Sequence, residues 1–284
     1  MTESSSVRSV LATGAATPRP EDRPGLSALD PTRIAGRYDV LSLLGRGGMA
    51  AAYRVRDTTS GEVVALKLLM VTRDAPKAAR TIELFEGEFH TLNQLAHPRV
   101  VRAFDYGVSD GQPYYTMEIL DGGDLHELAP LPWQAVCMIA YEICSVLSLL
   151  HSRRLVHRDL TPRNVRRTAD GRAKLIDFGL LAPMGPTGIV AGTPPYVAPE
   201  LVQSMTLDGR SDLFSLGATL YHALTGRTAF PARRFDQLRD LWRSSPLPPS
   251  RVVPDIPPAV DELVLALMRI DLGSRPKSAA EGEP

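Results

Sequence analysis

"HRDLTPRN", His157 to Asn164, is the stretch from which the rest of the chain is read. It sets Asp159 ahead of Asn164, and "DFG" further along adds a second carboxylate, Asp177. Two carboxylates and an amide oxygen suit Mg²⁺, a hard cation that takes oxygen ligands and shares them with phosphates. In that arrangement Asp159 accepts a hydroxyl proton while Asn164 and Asp177 hold the metal.

Working outward, the parts that phosphoryl transfer needs come in order: a backbone cradle, a cation on the phosphates, metal-binding oxygens and a group to orient the nucleophile. "GRGGMA", Gly45 to Ala50, lies between two strand-like runs, so it reads as a hairpin lid rather than a helix-capping dinucleotide loop. Glycines between strands otherwise mark only a turn. Lys67 follows in "VVALK", and Glu88 on the next helical stretch is a partner that can hold it toward the α- and β-phosphates. Taken singly, each would pass for a solvated surface charge.

Composition narrows the partners. The 284 residues suffice for one two-lobed domain or two modest ones. The 32 Lys+Arg balance the 32 Asp+Glu and are interspersed, so no global basic field holds nucleic acid or an anionic membrane. No run reaches the ~18 consecutive apolar residues of a membrane span, and the N-terminus lacks a signal peptide's apolar core. The expectation is a cytoplasmic chain without a membrane segment. Cys137 and Cys144, about two helical turns apart, are expected as reduced core thiols.

Residues 1–33 are rich in Ser, Thr, Ala and Pro without sustained periodicity, and read as a flexible leader. From Tyr38, "YDVLSLLG", "AAAYRVRD" and "VVALKLL" are β-rich runs separated by turns, which predicts an antiparallel meander. The stretch after it places Leu84, Phe85, Glu88, Leu92 and Leu95 at helical spacing, with His97-Pro98 as a stop. "VVRAFDYG" and "PYYTMEIL" read as two more strands. Beyond "DGGD" the texture turns helical, with long apolar helices in "WQAVCMIAYEICSVLSLLHSR", "SDLFSLGATLYHALTG" and "PAVDELVLALMRID". The class is α+β: a small antiparallel lobe with one main helix over residues 34–120 with its hinge, then a larger helical lobe over 121–284.

These motifs, with "GTPPYVAPE" and "SDLFSLG", resemble a eukaryotic-type serine/threonine protein kinase of the kind found in bacteria, over roughly residues 37–280. The resemblance implies a bilobal fold, ATP with Mg²⁺ or Mn²⁺, protein substrates, and a homodimer that autophosphorylates in trans. It implies that Gly45, Arg46, Gly47 and Gly48 cover the phosphates and that Lys67, paired with Glu88, contacts them. Ala52, Ala65 and Arg166 would surround adenine, with backbone groups of Glu118 and Leu120 bonding it behind a Met117 gatekeeper. Asp159 would be the base, and Asn164 and Asp177 the metal ligands. Glu200 would pair with Arg275, Asp212 would anchor the catalytic loop, and Leu92, His157 and Phe178 would form a packed column. Chain end Pro284 falls about where such a kinase's final helix starts, so the resemblance implies a truncated last helix.

Three positions depart from the family pattern. Thr161 stands where serine/threonine kinases carry a lysine, and Arg163 offers a guanidinium two residues on that can supply transition-state charge. Ala50 and Ala52 replace a glycine and a valine, forfeiting about 1–2 kcal/mol of apolar contact with adenine, or roughly tenfold in affinity. Arg166 replaces an apolar residue beneath adenine, where its guanidinium can stack on the purine. "GTPP" before Tyr196 favours serine and threonine over tyrosine as acceptors. Thr193 is expected to bond Asp159, and Thr187 is a candidate autophosphorylation site with Arg158 as phosphate partner. The rival readings are a pseudokinase that binds nucleotide or a partner without turnover, and a small-molecule phosphotransferase, which generally lacks the "APE" segment and the Asp212 helix.

Overall fold

The computed structural model describes residues 30–47, 49–71, 78–187, 190–203 and 206–282. Six antiparallel strands form the first lobe: β1 (Arg33–Ile34), β2 (Tyr38–Arg46), β3 (Ala50–Asp57), β4 (Val63–Leu69), β5 (Ala103–Ser109) and β6 (Gln112–Met117). Their order is β1-β2-β3-β4-β6-β5. Alternation decides what each face carries. Ala51, Tyr53, Val55, Val64 and Leu66 turn to one side and close a small core with Ile34, Tyr38, Val40 and Tyr114. Their neighbours Ala52, Ala65 and Lys67 turn to the other side, toward the cleft, with Ala52 opposite Lys67 and Ala65 opposite Met117.

Helix α1 (Ala78–Gln94) lies on this cleft side and buries Phe85, Glu88 and Leu92. Leu84, expected on the same stripe, is 50% exposed, because one residue turns it about 100° round the axis from Phe85. The edge of the sheet begins earlier than composition suggests. Asp30 is buried, accepting a hydrogen bond from the Tyr53 hydroxyl at 2.7 Å. The Thr32 carbonyl accepts from the Val40 N–H at 3.0 Å. A two-residue edge strand carries no periodicity, so residues 30–33 read as leader; residues 1–29 lie outside the described ones.

The second lobe opens with α2 (Leu125–Leu128) and α3 (Trp133–Ser152). After α3 come short strands β7 (Leu155–Val156), β8 (Val165–Arg167), β9 (Ala173–Leu175) and β10 (Ala182–Pro183). Helices α4 (Pro199–Val202), α5 (Gly209–Thr225), α6 (Leu238–Leu241) and α7 (Pro258–Leu267) complete it. α5 is buried along its whole length from Ser211 to Thr225 and packs against α3 and α7, as a helix without a polar face must. It starts under an Asp208 cap and stops at Gly226, whose φ of 68° is left-handed. α3 is long and apolar enough to cross a bilayer; here it is a core helix, half of its apolar window buried. Of the two cysteines on it, Cys137 is half-buried and Cys144 buried, and no disulfide joins them.

Backbone bonds fix one lobe against the other. Val101 N–H donates to the Leu175 carbonyl at 3.0 Å and Leu175 N–H to that of Arg99 at 2.9 Å. The buried Glu142 of α3 takes the Ala173 N–H at 2.7 Å and the Arg172 guanidinium at 3.0 Å, so β9 is held from behind. At the hinge, Gly122 N–H donates to the Arg167 carbonyl, and a Cβ on Gly122 would meet that carbonyl at 2.5 Å. Only glycine fits there.

Candidate active site

The cation is assembled first. Lys67 Nζ lies 2.7 and 2.8 Å from the two Glu88 oxygens, and Glu88 is 4% exposed. The Tyr115 hydroxyl, from the β6 residue opposite Lys67, donates to Glu88 at 2.9 Å. Burial alone would lower the Lys67 pKa, but Tyr115, Glu88 and Asp177 hold it well above the ordinary lysine range. Burial pushes Glu88 up and Lys67 pulls it back, so α1 delivers the anion that keeps the lysine charged and aimed. Tyr115 was not singled out in the sequence; only the β4–β6 register reveals it.

Lys67 also reaches Asp177, with Nζ 3.5 Å from Oδ2. The other Asp177 oxygen accepts the Gly179 N–H at 3.0 Å. Burial opposes ionisation, yet Lys67 and that N–H hold the Asp177 pKa below its usual value. Next to it, Phe178 is buried edge-on against His157, ring centroids 5.1 Å apart, in the same core as Leu92. Of the expected column, the His157–Phe178 contact is formed.

The catalytic loop hangs from α5. Asp212, fully buried, accepts from the N–H groups of His157 and Arg158 at 2.9 and 3.0 Å, and lies 2.9 Å from His151 Nε2. Arg158 sits at φ 69°, an uncommon conformation for a side-chain-bearing residue, and these bonds hold it there. Its Nε donates to the Leu180 carbonyl at 2.6 Å, tying the loop to the segment after "DFG". Asp159 comes next. Thr193 donates to its Oδ1 through both hydroxyl and N–H, at 2.8 and 3.0 Å. Asn164 Nδ2 donates to the Asp159 carbonyl at 2.8 Å and to Oδ2 at 3.3 Å. Burial raises the Asp159 pKa, and the Thr193 bonds oppose it. Gly192 lets Thr193 approach: at φ 118° its position puts a Cβ 2.8 Å from the Arg158 carbonyl.

Asn164 donates its amide N–H to Asp159, and its amide oxygen and the Asp177 carboxylate, held ionised by Lys67 and the Gly179 N–H, are the oxygen donors that would hold a cation. That donor set fits a divalent metal shared with nucleotide phosphates. Among the described residues no cluster of three or more acidic, histidine or cysteine side chains forms a separate metal site.

The remaining candidates fall around this centre. Gly45 pairs with Ala52, and Gly47 N–H donates to the Ala50 carbonyl at 2.8 Å, closing the lid; Gly48 lies outside the described residues. The Arg46 side chain is ion-paired with Asp30. At the hinge, the Glu118 N–H is used by the Arg102 carbonyl at 2.9 Å, so what Glu118 can offer adenine is its carbonyl. Leu120, two residues further on, is buried. Thr161 is 4% exposed and its carbonyl takes the Asn164 N–H at 3.0 Å, making it a floor residue of the loop. Arg163 is exposed, its charge acting on Tyr196 and His222. Arg166 leans toward Asp124, 3.8 Å away. Glu200 and Arg275 form a buried double hydrogen bond of 2.7 and 2.9 Å.

The two lobes meet at this site through the Lys67–Asp177 contact. The protein kinase domain family model matches residues 38–281, and the chain belongs to that family. It is 36% identical over 263 residues to the DNA damage-responsive serine/threonine-protein kinase RqkA of Deinococcus radiodurans, covering 88% of this chain and 39% of that protein. It is 36% identical over 275 residues to the probable serine/threonine-protein kinase SCO3848 of Streptomyces coelicolor, covering 89% and 40%. With serine/threonine-protein kinase PknB of Mycolicibacterium smegmatis it shares 32% over 274 residues, covering 88% and 42%. The chain thus spans about two fifths of the length of these relatives. The family uses ATP and a divalent metal.

Proposed function

We propose that this chain is an active protein kinase that transfers the γ-phosphoryl group of ATP to serine and threonine hydroxyls of protein substrates, itself included. The observation that carries this reading is the held Asp159: Thr193 fixes one carboxylate oxygen and Asn164 the other, beside a formed Lys67–Glu88 pair. Lys67 positions the α- and β-phosphates, and the Gly45–Gly47 hairpin covers them. Asp159 orients the acceptor hydroxyl and takes its proton. Asn164 and Asp177 would hold magnesium or manganese, which would supply positive charge against that developing in the transition state.

The departures fit turnover. Thr161 is buried as a structural turn residue, and none of the groups above depends on a lysine at that place. The pseudokinase reading draws only on such departures. Autophosphorylation between two copies in the cytoplasm, with Thr187 as acceptor and Arg158 as phosphate partner, belongs to the same proposal. The test is phosphoamino-acid analysis after incubation with γ-labelled ATP and Mg²⁺. Label on serine and threonine, lost in Asp159→Asn and reduced in Thr187→Ala, is expected. Label on tyrosine alone, or label that survives Asp159→Asn, contradicts it.

A further inference from the structure

Glu88 needs both a place beside Lys67 and a fixed orientation there. Lys67 supplies the charge, with Nζ 2.7 and 2.8 Å from the two Glu88 oxygens. An ammonium on a flexible four-carbon stem is a point charge, however, and follows the carboxylate wherever it turns. The terminal torsion of a glutamate is itself broad, so the pair alone does not fix α1 against the sheet.

Tyr115 supplies the fixed point. Its hydroxyl donates to Glu88 Oε1 at 2.9 Å, and the residue is fully buried. It stands directly opposite Lys67 in the β4–β6 ladder, so both donors to Glu88 are carried by one sheet. Packing holds the phenol in place: the Phe85 ring lies 5.1 Å away and that of Phe89 5.9 Å, centroid to centroid. Phe85 and Phe89 flank Glu88 on α1, so the helix rests on the ring while the hydroxyl pins its carboxylate. Burial, with Glu88 and Asp177 nearby, keeps the Tyr115 pKa far above the ordinary phenol value, and the hydroxyl stays a donor.

The bond matters most when nucleotide binds. Lys67 already divides its N–H groups between Glu88 and Asp177, 3.5 Å away, and must then share them with phosphate oxygens as well. A buried carboxylate that loses part of one donor needs another to hold it.

Building on the kinase reading, we propose that Tyr115 is a positioning residue for phosphoryl transfer, its hydroxyl fixing Glu88, and through it Lys67 and α1, in the arrangement that receives the nucleotide phosphates. Being fully buried, it acts through Glu88 rather than on the phosphates themselves. Tyr106 on β5 provides the contrast. Its hydroxyl donates to Glu86 at 2.7 Å and its ring centroid lies 5.4 Å from that of Phe89, so it ties the same helix to the same sheet. Lys67, however, pairs with Glu88 and Asp177.

The test compares the parent chain with Tyr115→Phe and Tyr106→Phe, which keep their rings and lose only a hydroxyl. In Tyr115→Phe, kcat should fall about tenfold and KM for ATP rise severalfold, with KM for an acceptor peptide unchanged. Amide exchange of α1 in the nucleotide-free chain should quicken by a similar factor. Tyr106→Phe should leave kcat and both KM values within about twofold of the parent. Because Glu88→Gln removes the charged acceptor, adding Tyr115→Phe to it should lower kcat far less than in the parent. Unchanged α1 exchange in Tyr115→Phe overturns the proposal, and so does an unchanged kcat. Equal losses in the two tyrosine variants overturn it as well, because both are then only docking contacts of α1. A parent that transfers no phosphate refutes the kinase reading, and α1 exchange then decides by itself: quickened in Tyr115→Phe alone, it keeps the hold on Glu88, and unchanged, it removes it.

Discussion

Asp159 is where the two largest local influences on the chemistry oppose each other. Burial raises its pKa above the ordinary aspartate value, and the Thr193 bonds hold that rise in check. A base works deprotonated, so the rate falls as pH drops through this pKa. Thr193→Val removes the bonding hydroxyl, the pKa rises, and the acidic limb of kcat/KM should move to higher pH. An unmoved midpoint would mean that the hydroxyl does not tune Asp159. Arg166 supports a second expectation. It leans on Asp124, and we propose that its stem or guanidinium meets adenine when nucleotide binds. Arg166→Leu should therefore change the Kd for ATP by about tenfold, ~1.4 kcal/mol, in an equilibrium binding titration; an unchanged Kd would remove Arg166 from the adenine pocket. At this scale Lys67, Glu88, Asp159, Asn164 and Asp177 were legible because the chemistry demands those residue types in that order. Tyr115 was not, since which β6 residue faces Lys67 is a matter of register.

The elements show what holds the platform beneath the site. Glu200 of α4 and Arg275 are both almost fully buried, and Arg275 also donates to the carbonyls of Arg269, Arg210 and Ile270. Removing one member of such a pair leaves an uncompensated buried charge. Arg275→Ala should cost about 3–5 kcal/mol in urea unfolding, whereas an exposed pair such as Arg243–Asp240 should cost less than about 1 kcal/mol when broken. A loss under about 1 kcal/mol for Arg275→Ala would show that water replaces the pair. The long helices and the strands of the meander were readable from apolar periodicity, because each buries one repeating face. Leu84 was misplaced on the buried stripe, since adjacent apolar residues on a helix cannot both face the same neighbour. β1 escaped notice because two residues hold no period, and Asp30 is buried for its bonds to Tyr53 and Arg46 rather than for hydrophobicity.

For the whole molecule, the decisive property is that both lobes already meet in a closed electrostatic circuit. Glu88 comes from the first lobe's helix, Lys67 from its sheet, and Asp177 from the second lobe, with distances of 2.7 and 3.5 Å linking them. The "DFG" segment, the packed His157–Phe178 contact and the Asp212 anchor keep the catalytic loop in register with that circuit. Thr161 sits outside it. We propose that this assembly transfers phosphate although the usual lysine is absent. The most direct test is intact mass over time for the purified chain with Mg²⁺ and ATP, beside Asp159→Asn. Mass should rise in steps of one phosphate on the parent only. A parent whose mass stays constant, like that of Asp159→Asn, would contradict the claim.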